Sequence, residues 1–290
     1  MTQYGIADIG SNTIVLVVYE IVDDLPVQVF HKSTPAHLID YVSSDKVMHE
    51  DGIAVALKTI QEYECILDEM KVSYRFADIT EPCRIQNVEK LVNTLETTSF
   101  HIYPLTGYEE AACDFIGAKH AYPSIHHGLA FDVGGGSTEL ISFENDEIVD
   151  AMSFPLGCVR LSHLPLDTDQ CLVSLKKARS EYPSLNTTSK EIVGIGGTIR
   201  AVGLVCDELY HTSNILPVHL LKKLFLDLSN EVEASINALH KTVNEARWPV
   251  FLPGIHMILE ICDLYQTETI YISDSGIREG FLMKRIAELS

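Results

Sequence analysis

The sequence predicts an α/β protein of two similar domains with a cleft between them, on three observations. β-branched apolar runs alternate with segments of helical periodicity along the whole chain. A pattern of strand, Asp, glycine turn, hydroxyl residues and strand occurs twice, as Asp8-Ile9-Gly10-Ser11-Asn12-Thr13 and as Asp132-Val133-Gly134-Gly135-Gly136-Ser137-Thr138. The length, 290 residues, suits two domains of about 150 residues each. The boundary is expected at the turn-forming Tyr122-Pro123-Ser124, giving domains 1–122 and 123–290, with the closing segment 279–290 able to pack back on the first domain.

Each element follows from local pattern. Residues 4–9 end at an acid and a glycine and, with Ile14–Val22, read as strand, tight turn, strand. Val27–His31 is a third strand. Ile53, Leu57, Ile60 and Leu67, with Tyr63 filling the gap, recur at helical spacing and predict an amphipathic helix over 50–71. Arg75–Ile79 reads as a strand, Val88–Leu95 as a helix, His101–Pro104 as a short strand and 107–121 as a helix. The pattern then restarts with strands Gly128–Val133 and Thr138–Phe143. A helix near 168–180, a polar loop from Tyr182 to Ser189 and a strand Glu191–Ile195 follow. Gly196-Gly197-Thr198 opens a helix to about 208 with Thr198 as its N-cap. One long helix is expected over Val218–Lys241 and another over Gly254–Tyr265. Thr269–Ser273 is a strand, Asp274-Ser275-Gly276 a turn, and Ile277–Leu289 the last helix.

Composition narrows the function. The net charge is −20, from 21 basic and 41 acidic side chains. Residues 1–122 hold 19 acids and 8 bases and the remainder 22 and 13, so no acidic tail accounts for the total. DNA and membrane surfaces are poor partners for such a chain, because binding them relies on basic patches. A phosphorylated substrate needs only a local patch or a metal. No targeting or spanning segment is visible, and the seven scattered cysteines include no C-x-x-C pair, which fits reduced thiols in a cytoplasmic protein.

The glycine turns carry the chemistry. A strand followed by D-x-G-G-G-S-T exposes several backbone N–H groups where no side chain blocks approach, and such nests bind phosphate oxygens. Gly134, Gly135, Gly136, Ser137 and Thr138 in the second turn, and Gly10, Ser11, Asn12 and Thr13 in the first, are therefore candidate phosphate donors. Gly196, Gly197 and Thr198, at a helix start, form a third candidate anion site. Asp8, Asp132 and Glu139, each beside a glycine turn at a strand end, are candidate ligands for Mg2+, which is held by one or two carboxylates plus waters and substrate phosphates. Thr106 and Glu109 have the spacing of a capping box, which leaves Glu110 without a local role beyond the helix dipole. Arg84, Arg160, Arg200, Arg247 and Arg278 lie nearest the turns and are candidate phosphate clamps, each taken singly an ordinary surface ion pair.

With these residues in view the chain resembles the exopolyphosphatase / guanosine-pentaphosphate phosphohydrolase family of the actin-like ATPase superfamily. The matching pieces are ADIGSNT (7–13), TGYEEA (106–111), FDVGGGSTEL (131–140), PLGCVRL (155–161), GIGGTIRA (194–201) and ISDSGIREGFL (272–282). The resemblance implies two actin-like (ribonuclease H-like) domains and removal of the terminal phosphate of inorganic polyphosphate or guanosine pentaphosphate. It assigns Glu110 as general base, Asp132 and Glu139 to Mg2+, and the glycine turns with Ser137 to phosphate, with Asn12 and Arg84 reaching across the cleft. It also raises an expectation of a homodimer, because short members of the family often pair. Ala112 and Arg247-Trp248-Pro249 depart from the family pattern. Two alternatives stay open at this point: an actin-like kinase or ATPase, and a non-catalytic sensor of an alarmone or phosphate.

Overall fold

The computed structural model describes residues 2–121, 126–145, 147–165 and 169–289. Contacts divide the chain into two compact units, one comprising the residues up to Glu110 together with those from Phe281 onward, the other Ala111–Gly280. The expected boundary at Tyr122-Pro123-Ser124 lies outside the described residues, as does Thr168, where a helix was expected to begin.

The first unit is built on strands β1 (Gln3–Ile9), β2 (Thr13–Val22) and β3 (Leu25–Pro35), helix α1 (Glu50–Met70), strand β4 (Tyr74–Ile79), helix α2 (Val88–Leu95), strand β5 (His101–Pro104) and the first turn of helix α3 (Gly107–Ala121). Its sheet runs β3-β2-β1-β4-β5. The first three strands form an antiparallel meander, and β4 and β5 add in parallel. The predicted spacing holds in α1: Ile53, Ile60, Tyr63 and Leu67 are buried and pack on Ile9, Ile14, Leu16, Val18 and Ile79 of the sheet. Tyr63 carries its hydroxyl into this core and donates to the Ile14 carbonyl (2.7 Å); burial pushes its pKa up to about 12.

The second unit repeats the plan. Strands β6 (His127–Val133), β7 (Thr138–Glu144) and β8 (Glu147–Phe154) lead to helices α4 (Cys158–Ser162) and α5 (Gln170–Glu181), strand β9 (Glu191–Ile195), and helix α6 (Gly196–Tyr210). Strand β10 (Ile215–Pro217), helices α7 (Val218–Ser229), α8 (Glu233–Thr242) and α9 (Trp248–Tyr265), strand β11 (Thr269–Ile272) and the first turn of helix α10 (Ile277–Leu289) complete it, while α10 from Phe281 onward counts with the first unit. Read from β8, the sheet order is β8-β7-β6-β9-β11-β10. Again three antiparallel strands are followed by two parallel ones, with β10 as an antiparallel edge. The same ribonuclease H-like order, found in both units, makes this the two-domain α/β fold the sequence predicted.

Two of these expectations need correction. The single helix over Val218–Lys241 is two helices, because Glu231 takes a left-handed backbone (φ 55°) that no helix interior tolerates. The helix expected from Gly254 begins at Trp248; Pro249 sits in its first turn, where a missing N–H costs nothing, and Pro253 is accommodated inside it. Strand β8 was not expected, because only Ala151 and Phe154 of its eight residues are buried. Helix α9 is apolar on nearly every side because α4, α5, α6, α7 and β6 all pack on it.

Candidate active site

The second glycine turn is shaped from behind. Gly134 N–H donates to the Ser137 carbonyl (2.9 Å) and closes the turn between β6 and β7. The three glycine carbonyls are then held by the segment that follows β8: Cys158 N–H donates to Gly134 O (2.9 Å), Val159 N–H to Gly135 O (2.9 Å) and Arg160 Nε to Gly136 O (2.9 Å). Within one peptide plane the C=O and the next N–H point in opposite directions. Tying these carbonyls toward α4 therefore turns the N–H groups of Gly135, Gly136 and Ser137 to the opposite side, where none has a hydrogen-bond partner among the described residues. Gly157 permits the approach, since a Cβ there would lie 2.5 Å from the Gly134 and Gly135 carbonyl oxygens. Arg160, a candidate clamp by sequence, thus spends Nε on the loop itself.

The first turn uses the same device. Gly10 N–H donates to Thr13 O (3.1 Å). Ile39 N–H holds Ser11 O (2.9 Å), and Ala36 and His37 N–H hold Asn12 O (3.0 and 2.9 Å), which turns the Asn12 and Thr13 amides away from that support. The N–H groups of Gly10 and Gly134, both expected to meet phosphate, are spent inside their turns. Two hydroxyls are committed as well: Ser11 Oγ donates to Glu81 (2.7 Å) and Thr138 Oγ1 to the Leu156 carbonyl (2.7 Å). Ser137 is 2% exposed and its hydroxyl has no partner among the described residues.

Asp132 and Glu139 stand directly opposite each other on β6 and β7, so their side chains leave the same face of the hairpin. Glu139 is buried and accepts a hydrogen bond from Ser153 Oγ of β8. The Asp132 carboxylate lies against Gly196, whose φ of +86° and missing Cβ leave that space open. Two carboxylates on one face, beside a loop of outward amides, form an all-oxygen donor set of the kind a hard divalent cation takes. Asp8 lies in β1, paired with Val15 and, in parallel register, with Asp78 of β4. Helix α6 begins at Gly196 with Ile195 as its N-cap, so Thr198 lies inside the first turn and is not the cap. A β-region residue ahead of two glycines starts the helix two residues early.

Three arginines of this unit act on one another beside this helix start. The Arg247 guanidinium packs on Gly197, its nitrogens 2.8 and 2.9 Å from the position of a Cβ. Crowding by protein at the guanidinium end lowers the Arg247 pKa although the residue as a whole is exposed; Cys158 and Asp132 oppose the shift, and repulsion from Arg200 and Arg278 adds to it. Arg200 Nη1 also donates to the Asp274 carbonyl (2.8 Å). Sequence spacing gave no sign that these three cations share one neighbourhood.

In the first unit Glu110 lies in the first turn of α3, 7% exposed, and Arg84 Nη2 meets its Oε2 at 2.7 Å. Thr106 and Glu109 form the predicted capping box: Glu109 N–H donates to Thr106 Oγ1 (3.2 Å), and Thr106 N–H and Oγ1 both donate to Glu109 Oε2 (2.8 Å each). Glu109 is thereby spent on the helix end and Glu110 is left for other work.

The profile of the Ppx/GppA phosphatase family matches residues 17–288. The chain belongs to the Ppx/GppA phosphatase family. It is 23% identical to a putative exopolyphosphatase of Haemophilus influenzae over 95% of this chain and 88% of that protein. It is 22% identical to a guanosine-5'-triphosphate,3'-diphosphate pyrophosphatase of Pseudoalteromonas translucida, over 99% of this chain but 60% of that longer protein. Among solved structures, an exopolyphosphatase from Cytophaga hutchinsonii superposes with a TM-score of 0.83 at 22% identity, covering 99% of this chain and 98% of the other. The Aquifex aeolicus member of the family superposes with a TM-score of 0.79 at 22% identity, over 100% and 99%.

Proposed function

We propose that this Ppx/GppA family member hydrolyses the terminal phosphoanhydride of inorganic polyphosphate or guanosine pentaphosphate. The observation that carries the reading is the Gly134–Ser137 loop, whose carbonyls are tied to Cys158, Val159 and Arg160 so that three consecutive amides face outward beside the Asp132–Glu139 pair. Amides fixed in advance stabilise the charge that develops on a transferring phosphoryl group without reorganising during the reaction. In this reading Asp132 and Glu139 hold Mg2+, which when bound neutralises phosphate charge. Ser137 and the amides of both glycine turns hold phosphate oxygens. Arg247, Arg200 and Arg278 supply local positive charge in a chain that is acidic overall. Glu110 takes the proton of the attacking water, oriented by Arg84. A cytoplasmic setting belongs to the reading and is supported by seven free thiols; pairing of two copies belongs to it as well, and sedimentation of the purified protein decides it.

The test is phosphate release measured side by side on polyphosphate, guanosine pentaphosphate and ATP, with and without Mg2+. Release from either of the first two that depends on Mg2+ is expected. Release from ATP alone would replace the reading with an actin-like ATPase or kinase. Tight nucleotide binding without turnover would replace it with a sensor.

A further inference from the structure

The carboxylate pair on β6 and β7 has a third neighbour, on a strand the residue pattern did not show. On one face of the second sheet, Ala130 of β6, Ile141 of β7, Ala151 of β8 and Val193 of β9 stand in a cross-strand row. All four are buried, in one apolar cluster with Ala111, Phe115 and Ala118 of α3. Two residues further along each strand, toward the glycine turn, the same face becomes polar: the next row across β6, β7 and β8 reads Asp132, Glu139, Ser153. Ser153 is half-buried and stands directly opposite Glu139, and its Oγ donates to Glu139 Oε1.

A glutamate reaches its carboxylate through three rotatable bonds, so its place on a strand does not by itself fix where its oxygens point. A hydroxyl held across the ladder does. It takes one oxygen of Glu139 and sets the plane of the group, as hydrogen-bonding partners orient the carboxylates that ligate metals. Asp132 is placed by other means, against the open space that Gly196 leaves. We infer that Ser153 is the positioning residue of the divalent-cation site: its hydroxyl holds Glu139 so that both carboxylates address one ion. Ser153 acts through Glu139 and is not itself a ligand. The strand that carries it runs on into the segment whose Cys158 and Val159 amides hold the Gly134 and Gly135 carbonyls, and Leu156 there accepts from the Thr138 hydroxyl. β8 and its continuation therefore anchor both the carboxylate and the loop of outward amides. The inference rests on the assignment of Mg2+ to Asp132 and Glu139 in the reading above.

The experiment measures cation binding directly, on the purified full chain without substrate. Mn2+ is the probe and the electron paramagnetic resonance signal of free Mn2+ the readout. Ser153→Ala and Ser153→Val remove the hydroxyl, and Ser153→Thr keeps it. Thr and Val have nearly the same shape and both suit a strand, so that pair differs in the hydroxyl alone once thermal melting shows each to be folded. Loss of the hydroxyl is expected to weaken Mn2+ binding about 10- to 100-fold, the usual weight of a partner that orients a ligand, with Ser153→Thr close to wild type. The Mg2+ concentration that half-saturates phosphate release is expected to rise by a similar factor in Ser153→Ala and Ser153→Val. Wild-type Mn2+ affinity in both of these, or a Ser153→Thr as weak as Ser153→Val, in a protein whose binding is lost in Glu139→Gln, would overturn the role of Ser153 and leave the Mg2+ assignment standing. Wild-type affinity in Glu139→Gln would remove that assignment, and the role of Ser153 with it. Binding that depends on both residues in a protein that releases no phosphate would keep the positioning role and overturn the hydrolase reading. A buried carboxylate also needs a partner simply to fold; that role alone would lower the melting temperature of Ser153→Ala and leave the Mn2+ affinity of the folded protein unchanged.

Discussion

Single residues divide into those that make the site and those that hold its makers. Glu110 is buried, clasped by Arg84 and relieved of capping duty by its neighbour Glu109, so the reading gives it the proton of the attacking water. Glu110→Gln is expected to lower kcat by about 10²–10⁴ with KM nearly constant, the weight of a general base; near-normal turnover would remove it from the mechanism. Gly196 is a holder. Its φ of +86° disfavours any side chain, and a Cβ there would overlap the Asp132 carboxylate. Gly196→Ala should destabilise the protein by about 1–3 kcal/mol and displace Asp132, read as a lower denaturation midpoint together with a raised Mg2+ requirement. Sequence spacing singled out the glycines, Asp132 and Glu139 because their chemistry is written in their own types, whereas Glu110 came forward only through the family resemblance. Spacing could not reveal that the Gly10 and Gly134 amides are spent inside their own turns and the Thr138 hydroxyl on the Leu156 carbonyl, since that depends on which partner reaches them first. Nor could it gather Arg200, Arg247 and Arg278, which stand in α6, just ahead of α9 and in α10, far apart in sequence.

Elements were legible where one local signal decided them. The Thr106–Glu109 box fixed the start of α3, and the helical spacing of Ile53, Ile60, Tyr63 and Leu67 fixed α1. They were misread where the deciding force was tertiary: β8 is a strand because β7 needs a neighbour, and α9 runs through two prolines because four helices surround it. The capping box makes a prediction at this scale. The Thr106 backbone N–H, and then its hydroxyl, hold the Glu109 carboxyl below its ordinary pKa. A group with a depressed folded-state pKa contributes its stability above the unfolded pKa and loses it as pH falls through the folded value. Thr106→Ala is therefore expected to cost about 1 kcal/mol at neutral pH, measured by urea denaturation. The difference from wild type should shrink as pH drops below the ordinary carboxylate range, and a difference that stays constant into that range would show that the hydroxyl acts through the Glu109 N–H it accepts and not through the carboxylate it donates to.

At the scale of the molecule two features stand against each other: the repeated glycine turns, which the proposed reading gives to phosphate, and a net charge of −20 shared by both parts of the chain. The repeat was readable because each turn needs glycine between an acid and hydroxyls; the charge was readable by counting. Their consequence is kinetic. At about 0.01 M monovalent salt the screening length is about 30 Å, so a polyanion approaching the protein feels the summed acidic field; at about 0.15 M it is about 8 Å, and only groups at the site act. The distant acids repel and the local amides and arginines attract, so screening the former faster than the latter should speed association. With Mg2+ saturating, kcat/KM for a phosphoanhydride substrate is expected to rise about two- to tenfold between these salt concentrations, within the range of electrostatic effects on encounter, while kcat stays level. Arg247→Ala should lower kcat/KM at both concentrations without removing the rise. A steady fall of kcat/KM over the same interval would mean that Arg200, Arg247 and Arg278 govern the approach, and that the acidic surface is too far from the path of the substrate to count.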